Sequence, residues 1–231
     1  MKRIYLSLTL LLCAACAVSA EAPGVISVVL LDGSCSRTGV EAYEQAWTYA
    51  VSQVAPGDRL VLARIRGETI GLRPDVDMAL AYVPLWRDNV LERKRRIAKF
   101  RTDAADAVTT LLKQPCSSTT PILDALNGAA PFLAAASQRR KRLMILSDMI
   151  EDSGLAKFDA VAPRNASSLI ARRRRDRALP DFAGTEVVVV GASAPNSAML
   201  REIERFWREF FLATHGRLTN YAAVLLAPLA Q

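Results

Sequence analysis

Residues 186–191 read Glu-Val-Val-Val-Val-Gly, the most β-branched run in the chain. Four consecutive valines leave no side for water, so such a strand has to be covered on both faces. Two further apolar runs share this demand. Val25–Leu31 ends at Asp32, and Arg142–Leu146 ends at Ser147-Asp148. Strands buried on both faces belong to parallel sheets sandwiched between helices.

The segments between these runs carry helical spacing. Val40–Val54 places Ala42, Ala46, Tyr49 and Ala50 at helical intervals before Pro56-Gly57 stops it. Trp86–Leu112 is a long basic helical stretch, and Pro121–Ala136 is a helix with Pro121 at its first position. Ser197–Thr214 is amphipathic, with Leu200, Ile203, Phe206, Trp207, Phe210 and Phe211 on one side. Residues 151–183 read as a helix within a long excursion. Arg59–Arg66 is a second strand, and Met78–Val83 an edge strand because Pro84 follows. Tyr221–Leu226 closes the series. The expectation is an α/β, doubly wound, mostly parallel six-stranded sheet with helices on both faces and one antiparallel edge strand. No repeat or linker divides it, so residues 21–231 are read as one domain.

The first twenty residues stand apart. Met1-Lys2-Arg3 is a positive start, Ile4 to Val18 is apolar apart from Ser7 and Thr9, and Val18-Ser19-Ala20 offers small residues for cleavage. This is the pattern of a secretory signal peptide over residues 1–20. Cleavage after Ala20 gives an exported soluble protein, periplasmic or secreted. Cleavage before Cys16 gives a lipid-anchored one. With 51% hydrophobic and 23% charged residues the chain as a whole has an ordinary globular balance. A single histidine, His215, excludes multi-histidine metal sites within the chain.

Ligand crevices of open parallel sheets lie beyond the carboxyl ends of the strands. Three segments there carry oxygen-rich side chains: Asp32-Gly33-Ser34-Cys35-Ser36, Ser118-Thr119-Thr120-Pro121 and Ser147-Asp148. Two carboxylates with several hydroxyls suit a hard divalent cation, Mg²⁺ or Mn²⁺. Each segment alone is also an ordinary turn or helix cap; their placement on three strand-end loops favours a common site.

On these residues the chain resembles the von Willebrand factor type A domain with its metal-ion-dependent adhesion site. Asp32-Gly33-Ser34-Cys35-Ser36 fits that family's Asp-x-Ser-x-Ser loop. Ser118-Thr119-Thr120-Pro121-Ile122 looks like its Gly-Gly-Thr-Pro-Ile stretch, which places a ligand at Thr120, with Thr119 as a substitute. Leu143–Asp148 is similar to its fourth strand, with Asp148 as the last ligand. The sequence departs from the pattern at Ser117-Ser118, where glycines are usual, at Met149, where a glycine is usual, and in having no helix after the last strand. The resemblance implies metal ligation by Asp32, Ser34, Ser36, Thr120 and Asp148. It implies a non-enzymatic binding module in which Mg²⁺ meets an acidic side chain of a partner protein. If two of these loops ring one cation, Cys35 and Cys116 come together, and an exported, oxidising setting lets them form a disulfide.

Three basic clusters remain: Arg93–Arg96 with Lys99 and Arg101, Arg139–Arg142, and Arg172–Arg175 with Arg177. Solvated faces are the plain reading. Phe100, between Lys99 and Arg101, is the one aromatic residue among them, and nucleic acid is not an expected partner of an exported protein. Contact with an anionic membrane surface or with an acidic partner is the better functional match. A Ser34 or Ser36 hydrolase would have to use His215, which directly precedes Gly216 and reads as a helix terminus instead.

Overall fold

The computed structural model describes residues 22–35, 39–67, 72–84, 86–158, 166–226 and 228–229. The signal segment 1–20 therefore lies outside the described residues.

Six strands form one sheet: β1 (Ala22–Asp32), β2 (Arg59–Ile65), β3 (Val76–Ala79), β4 (Gln138–Leu146), β5 (Thr185–Val190) and β6 (Arg217–Ala222). Their order is β3-β2-β1-β4-β5-β6, and every pairing is parallel except that of β2 with β3 at the edge. Among the described residues five helices cover it: α1 (Val40–Ser52), α2 (Val90–Leu112), α3 (Ile122–Ala134), α4 (Ala166–Arg175) and α5 (Ser197–Ala213). The expected α/β, mostly parallel six-stranded arrangement with one antiparallel edge strand is what the chain adopts.

The alternation of side chains along each strand explains the valine run. Val187 and Val189 pack with α3 and α5, while Val188 and Val190 pack with α1 and α2. In β1, Val28 and Leu30 face the first layer and Val29 and Leu31 the second. Both sets are fully buried, because strand side chains alternate with a period of two and both faces here are covered. Helix α5 fills its layer with Phe206, Trp207, Phe210 and Phe211, whose rings meet edge-on and stacked at 5.0–6.2 Å.

Several boundaries differ from the sequence reading. The basic helix begins at Val90 and not at Trp86, because the Asn89 side chain caps it, accepting from the N–H groups of Leu91 (2.8 Å) and Glu92 (3.2 Å). Pro121 precedes α3 as its cap residue, outside the helix. The edge strand is Val76–Ala79, not Met78–Val83, fixed by pairing of Leu60 with Met78 and Leu62 with Val76. The last strand is Arg217–Ala222, not Tyr221–Leu226. It is a half-exposed edge, so its polar alternation concealed it. Asn220 then turns the chain, donating to Val189 O at 2.6 Å and accepting from the Leu226 N–H at 3.1 Å. The basic run Arg139–Arg142 lies inside β4, where the buried Arg142 pairs with Glu186 at 3.0 Å.

Helix α1 descends from the carboxyl end of the strands to their amino end. Helix α2 lies beside it: the Arg101 guanidinium donates to Ser52 O, and the Trp47 indole donates to Ala104 O at 3.2 Å. Burial in α2 runs along Phe100, Ala104, Val108 and Leu111. Its first two turns therefore overhang the amino end of the sheet.

Candidate functional site

Asp32 is the last residue of β1 and is fully buried. One carboxylate oxygen accepts from the Ser34 N–H at 2.7 Å, which curls the loop back over the strand end. The other accepts from the Ser147 hydroxyl at 2.8 Å, and that hydroxyl in turn accepts from the Met149 N–H at 3.0 Å. Gly33 is required here: a Cβ would lie 2.7 Å from Ile65 O. The β1 and β4 strand ends are thus joined through Ser147, a residue whose role the sequence reading did not separate from its neighbour Asp148.

The second loop lies against the first. The Ser117 N–H donates to Gly33 O at 2.7 Å, and the Cys35 N–H donates to Ser117 O at 2.9 Å. Cys35 and Cys116 form a disulfide with their Cα atoms 4.9 Å apart, as the resemblance implied. At the position of a family glycine, Ser117 uses its side chain: Oγ accepts from the N–H groups of Gly67 (3.2 Å) and Thr119 (3.3 Å). Thr119 is turned toward Gly67, where an added Cβ would meet its Oγ1 at 3.2 Å. Thr120 is buried, and its N–H and C=O pair with the backbone of Asp152 at 3.0 and 3.1 Å. The loop after β4 is thereby tied to the second loop. Ser36 lies outside the described residues.

Asp148 is buried at the end of β4 and accepts from the Ile150 N–H at 2.9 Å. Burial pushes its carboxyl up to about 6; the Ile150 hydrogen bond opposes this, and the negative charge of Asp32 adds to it. The two carboxylates therefore sense each other across the strand ends. Met149, at the position of another family glycine, adopts a left-handed backbone with φ 68°. Such a conformation costs a non-glycine residue about 1–2 kcal/mol. It is held because the Met149 side chain is fully buried and its carbonyl accepts from the Trp207 indole at 2.9 Å.

Glu151 is a residue that sequence reasoning missed. It is fully buried and accepts from the Leu123 N–H at 2.9 Å, at the start of α3. Burial pushes its carboxyl up to about 7. Arg173 is also buried, and its guanidinium is lowered first by burial, with Asp124 and Glu151 acting in the opposite sense. One arginine of the run 172–175 is thus internal. The one available signal was that Glu151 follows the apolar pair Met149-Ile150. Asp124 is exposed.

Among the described residues no three His, Cys, Asp or Glu side chains gather into a metal-binding group. The oxygens assembled here are two carboxylates and hydroxyls. His215 lies elsewhere. It follows α5 and precedes the parallel strand β6, so it sits at the opposite end of the sheet from Ser34. There it has a left-handed backbone, and its ring meets the exposed Asp181 at 3.0 Å. Ser34 and His215 are not brought together as a nucleophile pair.

No protein-family model matches the chain, and no curated protein matches it in sequence. Solved structures resemble it in shape. The PilB minor pilin from Streptococcus sanguinis has a TM-score of 0.54 at 10% identity, over 89% of this chain and 58% of that one. A von Willebrand factor type A structure from Catenulispora acidiphila gives 0.45 at 15% identity, over 90% and 40%. Manganese-loaded Plasmodium vivax TRAP protein gives 0.39 at 14% identity, over 80% and 63%. The domain is von Willebrand A-like. It spans 40–63% of the length of these three structures, and at such identities the likeness is one of fold.

Proposed function

We propose that this von Willebrand A-like domain is an exported binding module that holds Mg²⁺ or Mn²⁺ at the strand ends and captures an acidic side chain of a partner protein. The observation that carries this reading is the pair Asp32 and Asp148, both nearly inaccessible and each within the other's field. Two buried carboxylates beside hydroxyls make a hard oxygen donor set that a divalent cation neutralises. Asp32, Ser34, Thr120 and Asp148 would hold the ion, with Ser36 as the fifth ligand by resemblance. A bound cation supplies an open position for a carboxylate oxygen. The protein's part is to keep the three loops in register, through the disulfide, the Ser34–Ser117 backbone bridge and the Thr120–Asp152 pairing. Cys35–Cys116 also supports export, since disulfides persist in oxidising compartments. Among the described residues no helix is long and apolar enough to cross a membrane.

Thermal melts with and without Mg²⁺ or Mn²⁺ test the reading. At a cation concentration 100 times the dissociation constant, linkage adds about 2.7 kcal/mol. That corresponds to a rise of roughly 5–10 °C for a domain of this size. Asp32→Ala should abolish the rise, Thr120→Ala should weaken it, and Asp124→Ala should leave it intact. Capture of a partner from envelope extract should follow Mg²⁺ and be lost in EDTA. One observation favours a second reading, a scaffold without a working metal site: both Asp32 oxygens already accept hydrogen bonds within the protein. A wild-type melt indifferent to both cations selects that scaffold.

A further inference from the structure

The amino end of the sheet carries chemistry that the strand-end site does not use. Eight large apolar side chains are exposed among the described residues, and four of them, Tyr82, Trp86, Val90 and Leu91, fall within one ten-residue stretch. Trp86 is 81% exposed. Scattered exposed apolar residues are ordinary on a protein surface, but a contiguous group marks an interaction site. This group sits where the first two turns of α2 overhang the sheet, so no other element of the described fold covers it.

We propose that this end docks on an anionic lipid bilayer. Cations stand beside the apolar groups. The Arg87 guanidinium lies over the Trp86 ring, 5.3 Å from its centroid. Val90 and Leu91 stand one helical turn before Lys94 and Arg95, which are exposed on the same side of α2. Long basic side chains next to an aromatic ring and aliphatic groups match a membrane interface. The apolar bodies enter the acyl boundary, and the cations stay among the anionic headgroups. A protein-binding core would be depleted in lysine. The neighbouring acids do not cancel this field. Asp88 is buried between Arg93 (3.6 Å) and Arg96 (2.8 Å), which leaves Glu92 as the exposed acid of these turns.

The chain's direction agrees. β1 enters the sheet at this same end, with Ala22 paired to Gln138. The amino terminus of the domain is therefore on the docking side. Docked in this way, the domain turns Asp32 and Asp148 away from the bilayer, toward a partner in solution.

The protein carries its own reporter. Of its three tryptophans, Trp47 and Trp207 are buried and Trp86 is exposed, so the accessible emission comes from Trp86. The mature chain is floated with vesicles of phosphatidylcholine alone or with phosphatidylglycerol added, in EDTA so that the metal reading does not enter. The expected result is flotation with the anionic vesicles and a blue shift of the accessible emission. Lys94→Glu/Arg95→Glu should lower the partition coefficient at least about tenfold. Val90→Ser/Leu91→Ser should lower it with no change in the melt. Equal flotation by the charge-reversed variant, or no flotation by wild type, overturns the proposal. So does a dimer in sedimentation equilibrium that Trp86→Ala dissolves, since a second copy would then be the occupant.

Discussion

At the carboxyl end of the strands the polar atoms are buried and the loops are bonded to one another. At the amino end, large apolar side chains stand in water among exposed cations. Asp32 and Asp148 are almost inaccessible, whereas Trp86 is 81% exposed. Each end inverts the ordinary rule for its residue type. The buried charges come with hydrogen-bond partners, and the exposed apolar groups have no element of the described fold over them. The comparison also separates stability from contact. The first end is held by a disulfide and by hydrogen bonds between its loops, and the second by hydrogen bonds without a covalent tie, such as Gly57 N–H to Leu80 O at 2.7 Å and Val25 N–H to Asp58 at 2.7 Å. Damage at the first should unfold the protein, and damage at the second should leave the fold untouched.

The largest effect is expected from the disulfide. It closes a loop of 81 residues, and chain entropy gives about 4.5 kcal/mol for a loop of that length. Cys35→Ser/Cys116→Ser should lose most of that in urea unfolding, with vesicle binding of the remaining folded protein unchanged.

Glu151 comes next. Its folded carboxyl sits at about 7 against an ordinary 4.5, so the folded state binds the proton more tightly than the unfolded chain. Its contribution is fully present below about pH 4.5 and is lost as pH rises through about 7. The difference amounts to about 3 kcal/mol. Urea unfolding in EDTA should show wild type losing stability from pH 5 to pH 8, and Glu151→Gln should flatten that slope.

The cation effect should carry its own pH sign. Proton and cation compete for Asp148, whose carboxyl stands at about 6. The rise of the melt with Mg²⁺ should be present at pH 7.5 and absent at pH 5. The smallest effect is expected at the other end: Lys94→Glu/Arg95→Glu should shift stability by no more than about 0.5 kcal/mol. A large loss there would erase the distinction between the two ends.

The fold was legible where burial on both faces forced an apolar run, as in β1, β4 and β5. It was misread at the edges, where β3 and β6 alternate polar and apolar residues and pairing decides the limits. For the candidate site, spacing and resemblance converged on Asp32, Ser34, Thr120 and Asp148, and the Cys35–Cys116 bridge expected from the same placement is formed. Glu151, Ser147 and Met149 were opaque for one reason. What they do depends on burial and backbone geometry created by distant parts of the chain, such as Trp207 on α5 for Met149. The docking surface was equally hidden, because exposure of Tyr82, Trp86, Val90 and Leu91 follows from where α2 begins and which of its turns pack on the sheet.

β1 lies at the middle of the sheet, between β2 and β4. Its first neighbour follows it closely in the chain. The second arrives late: the hydrogen bond from Ser147 to Asp32 spans 115 residues. During synthesis or threading from the amino terminus, β1 is therefore half-covered until β4 has emerged. Until then a strand built to be dry on both faces keeps one hydrogen-bonding edge open and offers a template for pairing with another chain. A fragment ending before residue 138 should aggregate and not form a smaller domain. The complete chain should fold on the slow timescale of long-range pairings.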